Sequence, residues 1–220
     1  MPRSGHNLLT RQLAAYYGAL YHYCEYYKPT NCCKQIPCTQ IDGTLNERHI
    51  FLQKNHDFKL NFPILKNYKY IIQYRHPVPR VISHFEFRVK RNPHLDTKEG
   101  FIDFLNKSID HYIEFYKKWA FRKDLNCIIV KYEDLSEKNL QEFKKIINFV
   151  ENKEIDMTNY SYAAEELKYR NRNQKYQRKR NIFDFRYFDL ELIKFFEEQI
   201  FSQCSNLEYE SCLNKIETTR

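Results

Sequence analysis

Glycine is scarce: Gly5, Gly18, Gly43 and Gly100 are all that a chain of 220 residues contains. None is spaced to give Gly-x-x-x-x-Gly-Lys-(Ser/Thr), the phosphate cradle of a P-loop kinase, so that class is disfavoured. Long apolar runs are also missing. No stretch approaches the roughly 20 residues needed to cross a bilayer, and the first residues are too polar for a secretory leader. The expectation is a protein with no membrane span and a cytoplasmic location. Cysteine is present but unframed. Its 7 copies are odd in number, with Cys24, Cys32, Cys33 and Cys38 early and Cys127, Cys204 and Cys212 scattered. There is no C-x-x-C pair and no close pair of histidines, which disfavours structural zinc. Free thiols of a reducing compartment fit the pattern, as does a local disulfide in an exported protein.

What the chain has in quantity is positive charge and aromatic rings. The formal net charge is +8, with 18 Tyr and 17 Phe. A basic chain favours anionic partners: nucleic acid, an anionic surface, or a phosphorylated or sulfated small molecule. Stacking on nucleic-acid bases would use the aromatics, but most of them fall at core spacing in helices and strands, so packing is the simpler account.

The periodicities alternate. Leu8 to about Tyr23 reads as an amphipathic helix, and His49–Lys54 as a short strand. Tyr68–Tyr74 is a near-continuous apolar run of the kind found in buried parallel strands. Pro77 ends it, and Val78–Arg91 reads as a helix. Lys98–Phe121 is a long helix with Phe101, Phe104, Leu105, Ile109, Tyr112, Ile113 and Tyr116 on one face. Cys127–Tyr132 reads as another strand, and Ser136–Val150 as a helix capped by Ser136. A helix is expected over Tyr162–Tyr169, a basic loop over Arg170–Arg180, and a last helix capped by Asp189. Lys28–Asn46, with Pro29, Pro37 and Gly43, reads as a loop. Strands alternating with helices predict one α/β domain over residues 1–220, three layers deep around a central parallel sheet.

The chain opens Pro2-Arg3-Ser4-Gly5-His6-Asn7-Leu8, a Ser-Gly turn running straight into a helix. Backbone N–H groups at such a turn point toward one place and favour an anion, phosphate above all. Arg3 adds a fixed charge with a planar donor fork. An ordinary surface turn would look the same. Two later stretches bear on the choice: Lys54-Asn55-His56 after an apolar run, and Arg75-His76-Pro77 with Ser83 eight residues after the Arg.

In that order the three stretches resemble the landmarks of the sulfotransferase superfamily, which uses the phosphosulfate donor PAPS. Ile128–Leu135, with Tyr132-Glu133-Asp134-Leu135, is similar to a later strand end of the same family. The resemblance implies a P-loop-like fold and sulfonate transfer from PAPS to a small-molecule or saccharide acceptor. The product would be adenosine 3′,5′-bisphosphate. No metal is implied. Ser4, Gly5, His6, Asn7 and Leu8 would hold the 5′-phosphate, and Arg75 and Ser83 the 3′-phosphate. Arg178 and Lys179 match a closing loop only in part, because Arg180 stands where the family has Gly. Arg80, one helical turn before Ser83, is a lesser candidate for the same phosphate. Arg3 would bind the donor and neutralise the leaving group, Lys54 would hold the sulfonate, and His56 would be the base, with Asp57 a poorer choice. The strand that feeds the family's opening loop has no counterpart here, since only Met1 precedes Pro2. The expectation is a shortened start or a sheet without its usual first strand.

Overall fold

The computed structural model describes residues 1–27, 32–39, 48–137, 139–157 and 181–214. They form an α/β chain in two compact units. One unit holds Met1 with residues 5–73 and 126–178. The other holds residues 2–4, 74–125 and 179–220.

The first unit begins with helix α1 (His6–Tyr17), which buries Leu9, Gln12 and Leu13. Strand β1 (Tyr21–Glu25) follows a short 3-10 turn and pairs in parallel with β2 (Ile50–Lys54). The register sets Tyr21 opposite Ile50 and, at the far ends, Glu25 opposite Lys54. The expected helix over Leu8–Tyr23 is therefore shorter than its pattern. Gly18, at φ 57°, closes it, because glycine enters left-handed backbone without a Cβ penalty. The chain then extends through β1.

A second two-stranded sheet joins β3 (Tyr70–Tyr74) to β4 (Cys127–Lys131). Helix α4 (Tyr132–Glu137) starts directly at the strand end, and α5 (Asn139–Glu151) follows. Ser136 thus lies inside α4 and donates to the Glu133 carbonyl rather than capping a helix. Leu9, Leu13, Val130, Leu135, Phe143, Ile146, Ile147 and Met157 form the core of this unit. Burying each such side chain stabilises the fold by about 1.5–3 kcal/mol before entropy is counted.

The second unit is helical: α2 (Pro77–Val89), α3 (Lys98–Trp119) and α6 (Leu190–Gln203). The predicted apolar face of α3 is buried at all seven positions, Phe101 through Tyr116. The rings of Phe85 and Phe185 pack edge-on against Phe101 at 5.1 and 4.7 Å between centroids. Thr97 caps α3 by accepting from the Gly100 amide, and Asp189 caps α6 by accepting from Leu192. Among the described residues no helix is long and apolar enough to cross a membrane. The helix expected over Tyr162–Tyr169, the basic loop over Arg170–Arg180 and most of Lys28–Asn46 lie outside the described residues.

Candidate functional site

The parallel register of β1 and β2 brings opposite charges together at the strand ends. Lys54 Nζ donates to Glu25 Oε1 at 2.5 Å and meets His6 Nε2 at 3.0 Å. An ammonium has donors only, so His6 accepts at Nε2 and carries its proton at Nδ1. Lys54 is 8% exposed, and the Glu25 carboxylate compensates its charge there. His6 is the first residue of α1, and its ring meets that of His56 edge-on at 5.3 Å. His56 also lies parallel to Tyr27 at 6.1 Å and beside Phe58 at 5.1 Å, and both of those rings are exposed. Residues far apart in sequence, at 6, 25, 54 and 56, thus form one cluster.

Ligand atoms of His6, Glu25 and His56 lie within 4.8 Å of one another, as a metal would require. The Lys54 ammonium already engages two of them, and a metal ion there would meet its charge. The donor set fits an ion-paired proton-transfer cluster better than a metal centre. Asp57 belongs to the turn beyond it. Its carboxylate accepts from the Phe62 amide at 2.8 Å, and its own amide donates to Asn55 Oδ1 at 2.6 Å. Buried and used this way, it is a structural residue.

Gly5 is the N-cap of α1 at φ 87°, with no side-chain cap. Its carbonyl accepts from Leu8 and Leu9, so the Leu8 amide is taken up within the turn. The amides of Gly5 and Asn7 bond to no described residue. A Cβ on Gly5 would stand 2.4 Å from the Tyr132 ring, so glycine is required both by backbone conformation and by space. The Tyr-Glu-Asp-Leu stretch therefore supports the loop: Tyr132 covers Gly5 while Leu135 enters the core.

The second unit carries a different cluster. Arg3, in left-handed backbone at φ 63°, donates from Nε to Ser83 Oγ at 3.1 Å and lies over the Phe87 ring. Such a conformation costs a non-glycine residue about 1–3 kcal/mol and is found disproportionately at functional sites. Arg75 follows β3 directly, and its carbonyl accepts from the Tyr112 hydroxyl at 2.7 Å. Arg80 is only 1% exposed; among the described residues its Nε and Nη1 meet no hydrogen-bond partner, and its guanidinium lies over Tyr112. Burial pushes Arg80 down to about 10. His84 is pushed down to about 3, first by burial and then by the charges of Arg80, Arg88, His111 and Arg3. All four of these charges are cationic. Ser4 Oγ, also buried, meets no hydrogen-bond partner among the described residues.

The structure thus joins Arg3 to Ser83, and His6 to Lys54 and His56, while Arg178 and Lys179 lie outside the described residues. Sequence reading missed Glu25, whose place depends on a strand register, and undervalued Arg80, whose complete burial no helical pattern announces.

A family model described as "Sulfotransferase domain" matches residues 55–206, more than half of the chain. The match takes in His56, Arg75, Ser83 and Tyr132 and begins after the opening loop and Lys54. No curated protein and no solved structure matches the chain.

Proposed function

The chain belongs to the sulfotransferase domain family, and from that premise we propose that it moves a sulfonate group from PAPS to a hydroxyl or amine of a small-molecule or saccharide acceptor. The observation that carries this reading is the bond from Lys54 to His6, with His56 beside it. It ties the Lys-x-His stretch to the opening loop, as a shared site requires.

In this reading the acceptor oxygen attacks sulfur in line, and the bond from sulfur to the bridging phosphate oxygen breaks. His56 takes the acceptor's proton, a task suited to imidazole at neutral pH. Lys54, held in place by Glu25, faces the transferring sulfonate. Glu25 does not touch the reacting atoms; it positions Lys54 and keeps its charge. The amides at the head of α1, from Ser4 to Asn7, hold the 5′-phosphate through the turn dipole, while that of Leu8 is spent on the Gly5 carbonyl. Arg75 and Ser83 take the 3′-phosphate, and Arg3, which the bond to Ser83 sets beside them, neutralises the leaving group. Arg80 lends charge to that phosphate from beneath. Arg178 and Lys179 are proposed to close over it. Fixed cations supply the charge stabilisation that a metal gives a kinase. The same reading includes the three-layer, P-loop-like arrangement of the family.

The exposed Tyr27 and Phe58 rings beside His56 suit an acceptor with a flat apolar face. The test is transfer from labelled PAPS across a panel of phenols, amines and saccharides. At least one acceptor should be labelled by the wild type and not by His56→Ala. Labelling of the same acceptor at equal rates by both proteins would reject the assignment of the base.

A further inference from the structure

Outside the transfer cluster, the first unit contains a second group of reactive side chains. Cys24, Cys32, Cys33 and Cys38 are all free thiols and lie in a row of close contacts, in which Cys38 also hydrogen-bonds with Cys24. Cys24 Sγ lies 3.3 Å from Cys32 Sγ, and Cys33 Sγ lies 3.2 Å from Cys38 Sγ. A disulfide brings two sulfurs to about 2.05 Å, so each pair is little more than an ångström from bonding. The sulfurs are not gathered as a metal would need. Among the described residues, the clusters with ligand atoms within 4.8 Å of one another are His6–Glu25–His56 and His76–Glu197–Cys212.

The two pairs differ in reactivity. Cys24 is wholly buried on β1, and burial pushes its thiol up, so it is a poor nucleophile. Cys33 is half-buried, and its sulfur accepts from the amides of Gln35 and Thr39, each at 3.4 Å. These donors hold its thiol at about 6, so at neutral pH it is largely thiolate. Its nearest sulfur belongs to the buried Cys38. The turn between them is fixed from outside. Gln53 on β2 donates to the Gln35 carbonyl at 2.7 Å and accepts from the Cys38 amide at 3.2 Å. Gln53 immediately precedes Lys54, so the thiol turn rests on the strand that carries the proposed sulfonate-binding lysine.

We propose that Cys33 and Cys38 are a redox-active dithiol, with Cys33 the attacking and Cys38 the resolving residue, that low-molecular-weight disulfides of the glutathione type convert to a protein disulfide. In the first step the Cys33 thiolate attacks one sulfur of the small disulfide, whose S–S bond breaks and releases one small thiolate. In the second, Cys38 loses its proton to solvent and attacks the Cys33 sulfur of the mixed disulfide, expelling the second small thiolate. The protein thiols lose two electrons in all, and the small disulfide gains them as two thiols. The close approach of the pair and the fixed turn favour the second step over a lasting adduct. Oxidation would stiffen the turn that Gln53 holds against β2. The inference does not rest on the transfer reaction.

The test uses the full chain, reduced and then exposed to oxidised glutathione at neutral pH. Samples are quenched with an alkylating agent and mapped by peptide mass. The first lasting product should be the Cys33–Cys38 disulfide, and Cys38→Ser should accumulate a glutathione adduct on Cys33. A second measurement needs no variant. In the untreated wild type, iodoacetamide should label Cys33 at least tenfold faster than Cys127, whose thiol burial pushes up. Equal labelling of the two, first oxidation at any other cysteine, or a protein whose early thiols react only after a chelator strips zinc from them would each overturn the proposal.

Discussion

The two charged clusters of this protein are built on opposite plans. At the ends of β1 and β2, each charge has a partner: Lys54 sits on Glu25 and on His6. In the helical unit, the charges of Arg80, Arg88, His111 and Arg3 act together to depress His84. A paired cluster fixes geometry, because removing either partner strands the other in a low-dielectric site. A cationic cluster is costly in the absence of an anion and gains most when one arrives. The first arrangement suits a place where bonds change and atoms must be held. The second suits a phosphate.

The sharpest way to break this contrast is at the presumed base. His56→Ala should lower transfer by about 10²–10⁴, as loss of a general base does, while leaving affinity for adenosine 3′,5′-bisphosphate unchanged. Steady-state transfer and calorimetry read the two effects separately. Loss of both together would assign His56 to donor binding instead.

Next is the partner of Lys54. Glu25→Ala should destabilise the fold by about 3 kcal/mol, the cost of leaving a buried cation uncompensated. Glu25→Gln, which keeps the shape and a hydrogen bond, should lose less. Urea unfolding of the two variants measures the difference, and equal stability of both with wild type would show that the pair adds nothing.

The cationic cluster should behave in the opposite sense. Arg80→Met removes a buried charge and should leave stability unchanged or raise it by about 1 kcal/mol. The same change should weaken adenosine 3′,5′-bisphosphate roughly tenfold, about 1.4 kcal/mol. A strongly destabilised variant would make Arg80 a structural residue.

The field at His84 should appear as a pH dependence. Unfolded histidine titrates near 6.5, whereas folded His84 does so at about 3. Between those values the unfolded chain binds a proton that the folded chain excludes. Stability is therefore full above about 6.5 and declines as pH falls toward 3. His84→Phe should flatten that part of a melting-temperature profile, and an unchanged slope would remove the field at His84 from consideration.

Much of this was legible in the chain, and what was not has identifiable causes. Strands β2, β3 and β4 follow from short apolar runs, and helix α3 from a long apolar face. Asp189 reads as a cap because a carboxylate at a helix start has one obvious task. Helix α1 was over-extended because Tyr21 and Tyr23 continue a helical spacing, although Gly18 was the signal to stop. Glu25 could not be found, since nothing local says which residue of β2 it will face. The strand ends before the loop that resembles a landmark, and only the parallel register reveals the pair. Arg80 was undervalued for the opposite reason. Its position one turn before Ser83 is plain in the sequence, but an arginine in an amphipathic helix reads as a solvent-facing residue until its burial is seen. The opening loop was legible as a turn and helix start, but the need for glycine at position 5 comes from Tyr132, far along the chain.

Because adenosine 3′,5′-bisphosphate binds without any acceptor, its calorimetric titration tests the phosphate assignment most directly. Wild type should bind it with measurable heat, and Arg75→Ala, at a position whose backbone the Tyr112 hydroxyl anchors, should lose at least tenfold in affinity. Identical binding by both proteins, or no heat with either, would contradict the assignment of these cations to a phosphate of the donor.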